Sequence, residues 1–132
     1  MRLGFKIVGV PEAAGALNAM GDELGGQALV DAAEAGAWIL VNTWKDYIKE
    51  RAYRTGTYFR SIHQKLLHRS KGRVQIEVGT DIDDPPYPFF LEYGTSKMQA
   101  RPTARPAFDE SEDEVGREIE EALMQIIEKH WR

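Results

Sequence analysis

Cysteine is missing from all 132 residues. Disulfides, thiolate metal sites and cysteine nucleophiles go with it, and the fold must rest on packing. Long apolar runs are missing too: no stretch approaches the roughly 20 residues needed to cross a bilayer. The N-terminus lacks a basic segment followed by an apolar core and a cleavage site, so the chain is expected to stay in the cytosol where it is made. Internal repeats and low-complexity tracts are absent. The length suits one domain, 1–132, and hydrophobic and charged fractions of 42% and 29% indicate neither disorder nor a fibre.

Signatures of catalysis are equally scarce. Chemistry at neutral pH needs a nucleophile with its base, paired carboxylates in a cleft, or a metal with an open position. The histidines are His63, His68 and His130. The first two stand five apart on an expected strand, where strict alternation puts them on opposite faces and away from a shared metal. Asp81, Asp83 and Asp84, with Glu92 at the twelfth place, suggest a calcium loop. Pro85 and Pro86 occupy the places where such a loop needs a ligand and a glycine. Gly25 and Gly26 stand in no Gly-x-Gly-x-x-Gly or Walker pattern. The chain therefore reads as no enzyme, with no cofactor and no metal.

Charge is plentiful but unevenly placed. From Lys45 to Arg73 nine Lys or Arg stand against two acids, whereas from Asp109 to Arg132 nine acids stand against three bases. These runs are either solvated faces of separate elements or opposite-sign surfaces by which copies of the chain dock. In the basic stretch, Tyr53, Tyr58 and Phe59 among cations resemble a stacking and phosphate-binding surface. Lys65, Arg69, Lys71 and Arg73 are the candidates for contact with passing DNA. The acidic C-terminal part weighs against a general DNA binder.

Hydrophobic period gives the elements. Leu3, Phe5 and Ile7 alternate as in a strand with one buried face. Pro11 to Gly21 fits a helix of about three turns. Leu24 to about Glu50 contains no proline, and Val30, Ala33, Ala37, Leu40, Trp44 and Ile48 recur at helical steps. Its first half is rich in Ala and Gly, which admit a close neighbour, while Trp38, Trp44 and Tyr47 add bulk farther along. Thr55 and Gly56 end this helix, Gly56 tolerating a positive φ. Ile62, Gln64 and Leu66 alternate loosely, and Val74, Ile76 and Val78 strictly, with Ser70, Lys71 and Gly72 between: an antiparallel hairpin. Asp81 to Pro88, with three acids and three prolines, reads as a surface connection excluding helix. Tyr87 to Tyr93 is a strand or one helical turn. Residues 94–105 read as an exposed loop of unusual length. Pro106 opens the last helix, with Asp109, Glu110, Glu112, Asp113 and Glu114 in its first turns and an apolar stripe of Val115, Ile119, Ala122, Leu123, Ile126 and His130.

The stretch from Tyr87 to Ala107, YPFFLEYGTSKMQARPTARPA, resembles a signature of the neck or tail-completion proteins of long-tailed double-stranded DNA bacteriophages, also termed minor tail components. That pattern is an aromatic, Glu-aromatic-Gly-Thr-Ser, Ala-x-Pro-Phe, and a Pro-Ala opening the last helix. Glu92, Tyr93, Gly94, Thr95, Ser96, Ala100, Pro102, Pro106 and Ala107 match it. Thr55-Gly56-Thr57-Tyr58-Phe59-Arg60-Ser61-Ile62 is similar to the family's Thr-Gly-x-Leu-x-x-Ser-Ile. Two departures are Thr103, where the family usually has Phe, and Ala52-Tyr53-Arg54, which lacks the proline common before Thr-Gly.

The physics of the motif points to a corner. Gly94 permits a sharp exit, and the Thr95 and Ser96 hydroxyls can hold it by local hydrogen bonds. Glu92, flanked by apolar residues, either finds Arg101 or Arg105 of its own or a neighbouring subunit, or reaches water. Pattern and resemblance together lead to an α+β domain in which a small, mainly antiparallel sheet packs against a long N-terminal helix and a C-terminal helix. The resemblance implies a homo-oligomeric ring, most often six-fold, at the head-to-tail junction of the virion, assembled in the host cytoplasm from a phage or prophage gene. Its partners would be the head-closure or connector protein and the tail tube or tail terminator, with genomic DNA passing through the lumen without sequence-specific binding. Its subunit contacts are expected at Glu92, Tyr93, Gly94, Thr95, Ser96, Lys97, Met98, Arg101, Pro102 and Arg105, with Thr55, Gly56 and Ser61 forming a turn. The alternatives are a phage-encoded DNA-processing enzyme and a DNA-binding regulator.

Overall fold

The computed structural model describes residues 3–9, 21–70, 73–83 and 85–130. The short helix expected over Pro11 to Gly21 and the hairpin turn at Lys71 and Gly72 lie outside them.

The proline-free stretch forms one 30-residue helix, α1 (Asp22–Arg51). Val30, Ala33, Ala37, Leu40, Trp44 and Ile48 are buried, and so are Ala28, Leu29, Ala32 and Val41. The helix is covered on more than one side because the sheet lies against it on one flank and the last helix on another. Small residues set the second distance. A Cβ built on Gly36 would stand 2.5 Å from Ile119 Cγ1, so only a hydrogen there lets the two helices come so close.

The sheet has strand order β1-β3-β2, antiparallel throughout: β1 (Gly4–Gly9), β2 (His63–Ser70) and β3 (Arg73–Gly79). β3 is central, and Val74, Ile76 and Val78 are buried against α1. Phe5 and Ile7 lie opposite Val78 and Ile76, on the same inward face. Between α1 and β2 runs α2 (Thr57–Ser61), a five-residue helix ahead of the loose alternation at Ile62, Gln64 and Leu66 that no sequence period predicted. It begins at Gly56, whose φ of 83° is left-handed as the turn required. The Ser61 hydroxyl ties this turn to the sheet, donating to Tyr58 O (2.6 Å) and pairing with the Thr80 hydroxyl (2.7 Å).

One bulge changes the expected faces of β2. The register slips between Leu66 and His68, so Leu67 is the extra residue. His63, Lys65 and His68 therefore stand opposite Gly79, Glu77 and Gln75, all on the outer face. The two histidines do not point to opposite faces as strict alternation predicted. They are instead separated by about 13 Å along the strand. Arg69, opposite Val74, turns to the helix side.

Tyr87–Tyr93 is helical, α3, and its Pro88 sits in the first turn, where the missing N–H costs nothing. The expectation that Asp81 to Pro88 excludes helix thus fails at its last two residues. The final helix, α4 (Ala104–His130), starts two residues ahead of Pro106. No acid lies in its first turn, so the acidic run from Asp109 occupies the second and third turns. Leu123 is buried, Val115, Ile119, Ala122 and Ile126 pack against the core, and His130 is exposed. The architecture is α+β, with one hydrophobic core shared by the sheet, α1 and α4. Among the described residues no helix is long and apolar enough to cross a membrane.

Candidate functional site

The segment joining α3 to α4 folds back on itself. Gly94, at φ 78°, donates its N–H to Phe90 O (2.7 Å) and turns the chain out of the helix. Thr95 and Met98 then exchange two backbone hydrogen bonds (2.9 and 3.3 Å), and the Thr95 hydroxyl accepts from Lys97 N (3.2 Å). A Cβ on Gly94 would lie 3.0 Å from Ala100 N, so the returning strand rests on the glycine. Arg101 N donates to Leu91 O (2.6 Å) and delivers the chain to the start of α4. The expectation of a wholly exposed loop over 94–105 needs correction. Residues 95–99, Arg101 and Arg105 are exposed, but Thr103 and Ala104 are buried.

Glu92 is the reason. Its side chain is 1% exposed, and its carboxylate accepts from the backbone N–H groups of Thr103 (3.0 Å), Ala104 (2.9 Å) and Arg105 (3.0 Å). These are donors at the start of a helix that have no carbonyl partner within it. A carboxylate delivered by a different helix satisfies them and complements the positive end of the α4 dipole. Arg105 adds its Nε to Oε2 (2.9 Å) and its Nη2 to the Glu92 carbonyl (2.7 Å). Burial pushes the Glu92 pKa upward, but the three backbone donors and the guanidinium outweigh it and hold the carboxyl below the ordinary range. The partner is Arg105 of the same chain. Glu92 therefore stands inside its own subunit and offers no carboxylate to a neighbour.

Behind this cap lies a buried polar triangle. Trp44 Nε1 donates toward Thr103 Oγ1 (3.1 Å) and Tyr58 Oη (3.2 Å), and the two hydroxyls stand 3.2 Å apart. Burial pushes the Tyr58 pKa up to about 12, against hydrogen bonds from Thr103 and Trp44 that lower it. The triangle joins α1, α2 and the start of α4. A phenyl ring in place of Thr103 would leave the Trp44 N–H with one partner fewer. The Thr at that position was the signal in the sequence, but nothing in the sequence pointed from it to Trp44 or Tyr58.

The remaining predicted residues fall in several places. Tyr93 is 51% exposed, in ring contact with Phe89 (4.8 Å between centroids) and under the Arg105 guanidinium (4.7 Å). Ser96, Lys97 and Met98 form the exposed tip, and Pro102 is half-buried with its carbonyl accepting from Arg51 Nη1 (3.1 Å). Thr55 pairs its hydroxyl with that of Thr57 (3.0 Å) ahead of Gly56. Of the four suggested DNA contacts, the three described ones do not share one face of the sheet. Lys65 and Arg73 lie on the outer sheet face, Arg69 is exposed on the helix side with its Nη1 on Gln27 Oε1 (3.0 Å), and Lys71 is outside the described residues.

Chemically the corner is closed. Both Glu92 oxygens are engaged by N–H donors, and Tyr58 stays protonated at neutral pH, so neither is a free base. Among the described residues no three His, Cys, Asp or Glu side chains gather to hold a metal. No family model matches the chain, nor does any curated protein or any solved structure.

Proposed function

We propose that the chain is a structural, non-enzymatic subunit of a ring at the head-to-tail junction of a long-tailed bacteriophage. The observation that carries this reading is how the residues of the Glu-Tyr-Gly-Thr stretch are used. Glu92 caps α4, Gly94 supplies the left-handed exit, Thr95 closes the tip, and Thr103 and Ala104 anchor the return. These residues shape and hold a corner, and the polar segment they hold out, 95–101, is what another protein would meet.

In this reading subunits join through contacts between two different surfaces, which close when the rotation between copies returns on itself. Genomic DNA passes through the lumen without sequence readout. Head-closure and tail proteins stack on the two sides. Removing Ser96 to Gln99 is expected to leave the fold intact, because the Glu92 cap and the Arg101–Leu91 hydrogen bond lie outside the deletion, while heads and tails fail to join. Electron microscopy of particles made with the shortened chain checks this, and normal joining overturns the reading. Divalent-ion-dependent cleavage of DNA by the purified protein would favour a DNA-processing enzyme instead.

A further inference from the structure

Two exposed patches of opposite charge lie far apart along α4. The first surrounds Pro102. Arg51 arrives from the end of α1 and holds the Pro102 carbonyl (3.1 Å). Lys97 and Arg101 project from the returning segment, while Arg105, half-exposed in the first turn of α4, has its charge paired with Glu92. Tyr93 and Met98, 51% and 37% exposed, add apolar surface among these cations. Of the acids near this patch, Glu92 is spent internally, Glu110 lies beside Tyr47, over whose ring the Arg51 guanidinium stands, and Asp109 is exposed one helical turn beyond Arg105. Arg51 is distant in sequence from the other cations, and only the fold brings it to the Pro102 carbonyl.

The second patch is the outward face of α4 in its second half. Among the described residues, Glu120, Glu121 and Glu128, with Arg117 as the one base, line an open groove of about 390 Å³. Met124 stands in that groove half-exposed. From Arg105 to Met124 the helix spans about 28 Å at its ordinary rise, so the two patches cannot meet within one subunit.

Building on the ring reading, we infer that the basic corner around Pro102 of one subunit docks on the acidic, Met124-lined groove of α4 in a second copy. The occupant follows from chemistry. Carboxylates repel a phosphate backbone, an exposed methionine suits a protein surface, and the corner around Pro102 supplies the opposite charge with an apolar centre of its own, Tyr93 and Met98. Arginine and tyrosine at the centre, with flanking opposite charges, are the usual makings of an interface core. Charge pairing sets the register, and salt weakens it.

The test uses the full chain, with Arg101→Glu, Glu121→Lys and the two combined. Both residues are exposed, and unchanged circular dichroism and thermal unfolding serve as the control for folding. Mass photometry and sedimentation at low and high salt read the assembly. Each single reversal is expected to weaken self-association by about tenfold or more, since it sets like charges face to face. The combined reversal is expected to regain most of it. A single reversal without effect, or a combination that regains nothing, overturns the inference, as does a wild-type chain that stays monomeric at every concentration and salt. A ring indifferent to both reversals sinks this pairing and leaves the ring reading. A closed dimer sensitive to both upholds the pairing and sinks the ring.

Discussion

Glu92 and Gln64 are both polar side chains turned toward the core, one at the corner leading into α4 and the other on the edge strand β2. Every acceptor position that matters on Glu92 is filled, by three backbone N–H groups and a guanidinium. Gln64 lies opposite Val78 on the inward face, donates to Glu34 O at a long 3.4 Å, and leaves its buried Oε1 without a hydrogen-bond partner. Near it the strand bulges at Leu67 and leaves Leu66 and Leu67 exposed. The difference shows where this fold uses buried polarity. At the corner, hydrogen bonds fix the direction in which a 27-residue helix departs. At the rim of the sheet nothing downstream depends on one side chain, and looser satisfaction is tolerated.

The contrast can be tested by removing each group in turn. Glu92→Ala takes the acceptor from three N–H groups at the start of α4 and strands Arg105. A loss of about 3–5 kcal/mol is expected in urea denaturation, and a loss under about 1 kcal/mol would show that the cap is not what holds the corner. Acid titration examines the same group. Its folded pKa is depressed, so its contribution is fully present above the unfolded value of about 4.3 and is lost as pH falls through the folded one. Glu92→Gln should accordingly flatten the decline in stability below about pH 4.3, and an acid limb as steep as the parent's would contradict this.

Smaller effects follow away from the cap. Gly36→Ala forces a methyl against Ile119, from which its Cβ would stand 2.5 Å, and should cost about 1–3 kcal/mol by thermal unfolding. Tyr58→Phe removes one corner of the buried triangle but spares the Trp44–Thr103 hydrogen bond, so about 1 kcal/mol is expected. Gln64→Met should change stability by no more than about 0.5 kcal/mol in either direction. A cost above about 2 kcal/mol there would mean that the rim is as tightly specified as the corner.

What consecutive residues dictate was legible in the chain. The period-two run of β3, the proline-free helical period of α1 and the positive φ at Gly56 and Gly94 are local properties, because backbone conformation and side-chain direction are set by near neighbours. The Glu92–Arg105 pair was also within reach, as one of the partners that a carboxylate among apolar residues was expected to need. The bulge at Leu67 was not legible, since an extra residue in one strand shows only against the register of its partner. The start of α4 was placed too late because Pro106 looks like a first helical residue, whereas the cap that fixes the true start comes from Glu92 on a different helix.

The triangle of Trp44, Tyr58 and Thr103, and the arrival of Arg51 at Pro102, belong wholly to the tertiary structure. They join residues that chain order keeps far apart, and a hydrogen bond depends on distance and direction in space. The order of amino acids decided which segments would coil or extend and where the chain would turn. Packing of α4 against α1 decided which polar groups would be sealed in and which cations would be left facing outward, because burial is a property of the assembled layers.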